Sequence, residues 1–404
     1  MNIGQRISLC LAMALLALGP VGSVWGATVS GRASTVLEWR DDPQGDAALP
    51  GYQYLQLNLG DIAGKGVDFK GYGRLADDFN NELDIDSRLY YAYLEKKGLL
   101  TNLDAKLGRQ FISTSAGASI MDGLYLNYSN LGPLSFALFG GGDVAYYSGY
   151  NAEDVIAGGK LSGRFLDSLD LGLSYIQKWN DGDLSHELIG FDAAYDVKEL
   201  INLYSETQYS WLTDEVTYFL AGAHYYRNPK WSLRTEYLYS LPVFSATSIY
   251  SVFSVAEYQE LMAELGYSIA PGLRVFGRYS REMFEDFADA NVFELGIEKI
   301  RTARCAGYLT GVWRDDGDGQ DLKGFKVYGS YLLNQSLQAG AGAHLDVLER
   351  RLDDTDDETS SSRLWLDLTA YLTKTLNVEA KAERIESDLW DEYYQGRIRL
   401  NVLF

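Results

Sequence analysis

Cysteine, proline and histidine are scarce in this 404-residue chain, and beyond its first two dozen residues no long apolar run occurs. One of the two cysteines, Cys10, lies in the leader, so only Cys305 remains after it and no internal disulfide is available. His186, His224 and His344 are the only histidines, and no pair has the spacing of a metal site. A serine hydrolase needs a Ser–His pair oriented by a third polar group. Ser185 and His186 are sequence neighbours in an expected loop, and neighbours usually point apart, so no catalytic or metal residue is assigned. Cys-x-x-Cys-His is absent, which excludes covalent haem on this chain. Thirty-five basic residues face 56 acidic ones, a net charge of −21, and this disfavours nucleic-acid binding. The acids are interspersed with strand formers, which argues against disorder. With no later run of about 18 apolar residues, any membrane crossing must be made by strands.

What is abundant fits that conclusion. Thirty tyrosines, eight tryptophans and 41 glycines suit a large sheet with interfacial aromatics and tight turns. Residues 1–26 read as a secretory signal peptide: Arg6 is the positive start, Ile7 to Leu18 the apolar segment, and Val24-Trp25-Gly26 precede cleavage at Ala27. Residues 27–404 then alternate with period two. Thr28 to Arg40 places Gly31, Ala33, Thr35, Leu37 and Trp39 on one face, with Arg32, Ser34 and Glu38 on the other. Tyr52 to Leu59 and Val67 to Leu75 repeat the pattern, and the count reaches about 22 strands, or 20 if one pair is over-split. Tight connections at 130–133, 227–230, 270–272, 333–336 and 373–375 alternate with longer acidic ones at 77–84, 285–290, 314–321 and 351–362. Short turns on one side and longer loops on the other suit a transmembrane antiparallel β-barrel, all-β, with no plug domain.

Turning the apolar set outward puts Arg32, Lys70, Arg88, Arg234, Arg274, Arg278, Lys326, Arg363, Lys381, Arg397 and Arg399 inside. Glu38, Asp68, Asp104, Glu236, Glu294, Glu298, Asp367, Glu379 and Glu383 accompany them. An Arg or Lys at the lipid midplane would cost about 2–4 kcal/mol, and the lumen imposes no such cost. Aromatic residues near strand ends, among them Trp39, Tyr90, Tyr225, Trp231 and Tyr394, are expected to form interfacial girdles.

The final stretch, Glu392 to Phe404, sets Gly396, Ile398, Leu400, Val402 and Phe404 against Arg397, Arg399 and Asn401. It resembles the closing strand of bacterial outer-membrane β-barrels, and the resemblance implies that Phe404 is an assembly signal and that this strand pairs with the first. Leu107-Gly108-Arg109-Gln110-Phe111 to Met121-Asp122-Gly123-Leu124 resembles a porin pattern of two strands flanking a small-residue loop. Some porins fold that third outer loop inward, whereas an ordinary outer hairpin is the slightly favoured expectation here. Acidic loops at 315–321 and 353–358 lack the full calcium-binding pattern and read as solvated loops.

An unplugged barrel of this circumference is a wide opening. In architecture the chain resembles the porin subunit of outer-membrane porin–cytochrome complexes. That resemblance implies a scaffold sheathing multihaem c-type cytochromes, periplasmic and extracellular, with haem carried by those partners and no cofactor on this chain. The alternative is a passive diffusion porin for small hydrophilic or ionic solutes. Both imply the bacterial outer membrane, contact with its lipid and lipopolysaccharide, and insertion by the barrel assembly machinery.

Overall fold

A computed structural model describes residues 27–41, 47–145, 149–228, 230–241, 257–286, 288–317, 321–350, 357–388 and 390–404. The expected signal peptide lies outside them, as does much of the two acidic loops considered for calcium. In chain order the strands are β1 (Thr28–Asp41), β2 (Ala47–Ala48), β3 (Pro50–Gly60), β4 (Val67–Asp78), β5 (Arg88–Leu100), β6 (Leu103–Thr114), β7 (Gly117–Leu131) and β8 (Leu134–Ala145). There follow β9 (Gly149–Phe165), β10 (Leu169–Asn180), β11 (Asp183–Val197), β12 (Ile201–Ser210), β13 (Glu215–Asn228), β14 (Trp231–Ser240), β15 (Tyr258–Ala270) and β16 (Leu273–Phe284). The last are β17 (Ala290–Lys299), β18 (Cys305–Asp316), β19 (Leu322–Asn334), β20 (Leu337–Arg350), β21 (Asp357–Tyr371), β22 (Leu376–Ser387) and β23 (Trp390–Leu403).

All 23 belong to one sheet; β2 is a two-residue piece beside β1, so among the described residues 22 long strands remain. β1 pairs with β3 on one side and β23 on the other, which closes an antiparallel barrel. Among the described residues the only helix is a 3-10 turn at Ile62–Gly64, so no plug interrupts the strands. None is a helix long and apolar enough to cross a membrane.

Local chemistry explains the hairpins. Leu166-Asp167, Asp181-Gly182 and Lys198-Glu199 each hold two consecutive positive φ values. That backbone matches the twist of the flanking strands and favours two-residue connections. The faces divide as a hydrocarbon solvent requires. Along β10, Leu173 and Tyr175 point to the exposed side, while Gly172, Ser174 and Ile176 are buried. Leu366 is 67% exposed on β21, and large exposed apolar side chains recur on nearly every strand. A water-soluble protein rarely presents so extensive an apolar surface.

Two compact units can be distinguished. The first comprises the described residues up to Tyr90, with Ser268–Phe276 and Phe293–Phe404; it holds the closing seam. There Arg32 lies opposite Leu403, Glu38 opposite Arg397, and Trp39 opposite Gly396. The expected partnership of first and last strands is present in this register. The backbone groups of Gly31 and Phe404 exchange hydrogen bonds of 2.8 and 3.1 Å. A Cβ on Gly31 would sit 2.6 Å from the Phe404 ring, so the terminal aromatic lies over a position only glycine leaves open.

The second unit, Tyr91–Tyr267 with Gly277–Val292, contains a small apolar core on its inner face. Ile112, Ala116, Met121, Phe139, Ile156, Ile176 and Leu188 pack together there, each less than a tenth exposed. These residues alternate with the exposed apolar set: Ile176 shares the face of Ser174, opposite Leu173 and Tyr175. The β6–β7 hairpin contributes Ile112, Ala116 and Met121 to this core, packed against Phe139, Ile156, Ile176 and Leu188 of the wall.

Candidate functional site: the inner face and its folded hairpin

The β6–β7 hairpin does not stand above the barrel wall as an ordinary outer hairpin. Its strands extend to a two-residue tip, Ser115-Ala116, which lies on the inner face of β10, β11 and β12. Ser115 Oγ is 2.9 Å from Ser174 Oγ, and the Ala116 N–H donates to Ser174 Oγ at 2.8 Å. Gln208 Nε2 donates to the Ala116 carbonyl at 2.8 Å. The approach is close because Gly190 has no side chain: a Cβ there would lie 2.0 Å from the Ala116 nitrogen.

Polar contacts hold the base of the hairpin. Arg109 binds both oxygens of Asp122 across β6 and β7, at 2.8 and 2.7 Å, in the bidentate geometry that fixes both planes. Lys178 on β10 donates to Ser119 Oγ at 2.9 Å and lies 3.5 Å from Asp143, which Ser119 also bonds. Beside the tip is a cavity of about 520 Å³. Residues 113–118 form one wall, and Lys178, His186, Glu206, Gln208 and Tyr218 contribute to the other.

Ser185 and His186 lie within β11, not in a loop, and their side chains meet. Ser185 Oγ is 3.1 Å from His186 Nδ1. The cause is a bulge where the β10–β11 register shifts at Lys178/Trp179, leaving Ser185 outside the pairing. Ser185 is buried and also donates toward the Lys178 carbonyl and Asn180. The hydroxyl is engaged by the wall in a structural arrangement.

The basic and acidic residues expected on the inner face lie largely as neighbouring pairs. Arg278 bonds Glu264 at 3.0 and 2.6 Å; Arg234 bonds Glu236 at 2.7 Å and reaches the Tyr204 hydroxyl at 3.4 Å. In the first unit Arg274 bonds Glu298 at 3.0 Å. Arg363 donates to Glu383, which also takes Lys381 and Gln395. Arg32 donates to Asn401 at 2.7 Å and Glu379 accepts from the same amide at 3.0 Å. Lys70 stands opposite Asn58, and Lys326 between Thr310 and His344. Arg88 opens β5 and Glu294 lies in β17. Arg397 and Arg399 face Glu38 and Val36; the Arg399 Nε is buried without a hydrogen-bond partner. Arg40, Arg363, Lys381 and Arg397, with Glu38 and Glu383, line a concavity of about 220 Å³ beside the seam.

Two aromatic strips on this face were not anticipated. Tyr52, Tyr54, Tyr72 and Tyr90 follow one another with centroid separations of 6.1, 6.4 and 4.8 Å, and Arg74 lies 5.3 Å from the Tyr52 centroid. Tyr90, assigned to an interfacial girdle from its sequence position, is therefore an inward-stacked residue; Trp39, Tyr225, Trp231 and Tyr394 are exposed. The second strip joins Tyr308, Tyr328 and Trp365. The hint available in the sequence was the placement of Tyr54 and Trp365 in register with polar neighbours. Among the described residues, no group of three or more His, Cys, Asp or Glu side chains could hold a metal ion.

Together these features define a transmembrane-type antiparallel β-barrel with a polar inner face. No family model matches the sequence, and no curated protein matches it. Solved structures do share its fold. The P pilus usher (PapC) translocation pore is similar with a TM-score of 0.52 and 10% identity, over 93% of this chain and 99% of that one. Pseudomonas aeruginosa OpdQ matches with a TM-score of 0.48 and 14% identity over 94% and 98% of the two chains. Pseudomonas aeruginosa OccK2 (OpdF) gives 0.48 and 13% over 95% and 99%.

Proposed function

We propose that this chain is an outer-membrane channel for passive diffusion of small hydrophilic or ionic solutes. The observation that carries the reading is the inward-folded β6–β7 hairpin with its cavity of about 520 Å³, lined in part by Lys178, Glu206 and Gln208. A hairpin laid along the inner wall narrows a water-filled passage and gives it polar walls against which solutes are sorted. In this reading a signal peptide directs the chain to the periplasm, the assembly machinery inserts it, and lipid and lipopolysaccharide surround it.

The cytochrome-sheath alternative asks the inner wall to contact a protein. Its charges instead largely meet one another, as in Arg278–Glu264, Arg274–Glu298 and Arg363–Glu383. Charges neutralised within the wall suit contact with water and passing solute. The test is conductance of the purified barrel in a planar bilayer, with the same preparation stained for haem. Steady ohmic steps are expected. A barrel that inserts, conducts nothing and co-purifies with haem-staining protein would overturn the proposal in favour of the sheath.

A further inference from the structure

Building on the channel reading, we propose that the inner face of β18–β23 carries a binding subsite for small aromatic zwitterions of the aromatic amino acid class. The site is a cavity of about 410 Å³, within the range of roughly 300–1,000 Å³ usual for small-molecule pockets. Its floor is aromatic. Tyr308 and Tyr328 have centroids 5.8 Å apart, and Tyr328 and Trp365 lie 6.2 Å apart with planes only 12° from parallel. The indole is seated by Gly342, where a Cβ would come within 2.1 Å of it. A ligand ring laid on this surface gains contact area without ordering the wall further.

The charges beside the floor select the rest of the ligand. Lys381 Nζ is 5.3 Å from the Trp365 centroid, but its charge is met by Glu383. Arg397 lines the same cavity; Glu38 opposite it turns to Arg40 at 3.0 Å, and among the described residues Arg397 makes no hydrogen bond or ion pair. Two carboxylates also border the cavity, and their hydrogen bonds come from neutral donors. Asp367 accepts from the Tyr328 hydroxyl at 3.1 Å, and Glu379 from the Asn401 amide at 3.0 Å. One guanidinium and two carboxylates, none in an ion pair among the described residues, therefore flank an aromatic platform. A ligand with carboxylate, ammonium and ring satisfies all three. An aryl carboxylate leaves the acids unmet, an aryl amine leaves Arg397 unmet, and glycine has no ring.

Isothermal titration calorimetry of the purified full barrel in detergent tests this, with L-phenylalanine, 3-phenylpropionate, 2-phenylethylamine and glycine as probes. L-Phenylalanine is expected to bind about tenfold or more tightly than each of the others, the loss of one charged or stacking contact. Arg397→Gln and Asp367→Asn should each weaken L-phenylalanine about tenfold, and Trp365→Ala should bring it to the level of glycine. Arg397→Gln breaks no hydrogen bond or ion pair among the described residues and so keeps the test decisive if Trp365→Ala folds poorly. L-Phenylalanine binding no tighter than glycine, or unchanged in Arg397→Gln and Asp367→Asn, overturns the subsite. Bilayer conductance separates the two claims: conductance without this selectivity removes the subsite alone, whereas selective binding by a non-conducting barrel removes the channel and leaves the subsite.

Discussion

Replacing Gly190 with valine tests the inward hairpin most directly. The substituted Cβ would fall 2.0 Å from the Ala116 nitrogen and 2.1 Å from the Ser115 carbonyl carbon. Both are backbone atoms, so no side-chain rotation relieves the clash, and the tip must leave its seat. Undocking removes the hydrogen bonds of Ala116 to Ser174 and Gln208 and exposes Ala116 and Met121, both fully buried. A gentler change grades the effect. Ser174→Ala deletes the acceptor of the Ala116 N–H and leaves that donor buried, a loss of about 2 kcal/mol. That figure corresponds to roughly a 30-fold rise in the undocked population. Single-channel recording in a planar bilayer reads both. Gly190→Val is expected to give larger steady conductance, and Ser174→Ala the parent conductance with more frequent excursions to the larger level. A folded, heat-modifiable Gly190→Val barrel with the parent conductance would refute the seating of the hairpin as the determinant of pore width.

Four further outcomes follow from named contacts. Deleting Phe404 removes its ring from Gly31 and its backbone exchange with that residue, so the folded fraction on unheated gels should fall sharply; a normal yield of inserted barrel contradicts the closing role. Glu383→Ala strips the shared acceptor from Arg363, Lys381 and Gln395; because Arg363 is partly exposed, the cost is about 1–3 kcal/mol, read as a lower thermal midpoint. Asp78→Ala frees the backbone N–H groups of Leu49, Asn80, Glu82 and Leu83 that its carboxylate gathers, and should speed amide exchange across 79–87 with the strands unaffected. In the turn after β22, the Ser360 hydroxyl and N–H hold the Asp388 carboxyl below the usual aspartate range. Since the folded value is the lower one, this contact is present above the ordinary aspartate pKa and lost as pH falls through the depressed value. Protection of the Ser360 amide, corrected for intrinsic exchange, should follow that course, and Asp388→Asn should weaken it near neutral pH.

The strand content was largely readable along the chain. Leu173 and Tyr175 alternate with Gly172 and Ser174, and Asp181-Gly182 marks a turn, because both signals act over two to four residues. The inward hairpin was less legible. Residues 113–119 read Ser-Thr-Ser-Ala-Gly-Ala-Ser, a small-residue tip that suits either a free loop or a packed one. What distinguishes them is Gly190, some 75 positions away, together with Ser174 and Gln208 on neighbouring strands. The meeting of Ser185 with His186 was hidden for a related reason: it depends on a register shift that only the pairing of β10 with β11 creates.

The sequence by itself determined that the chain is a succession of antiparallel hairpins with an apolar face and a polar face, since period-two patterning and turn chemistry are local properties. It also marked the last strand as the partner of the first. Only the tertiary structure decided which charges neutralise one another, which aromatics leave the interface for the inner wall, and that Ile176 and Leu188 turn inward beneath a hairpin. Those choices depend on register and on atoms brought together from distant strands. A glycine's missing side chain becomes a seat only when another backbone arrives to fill it.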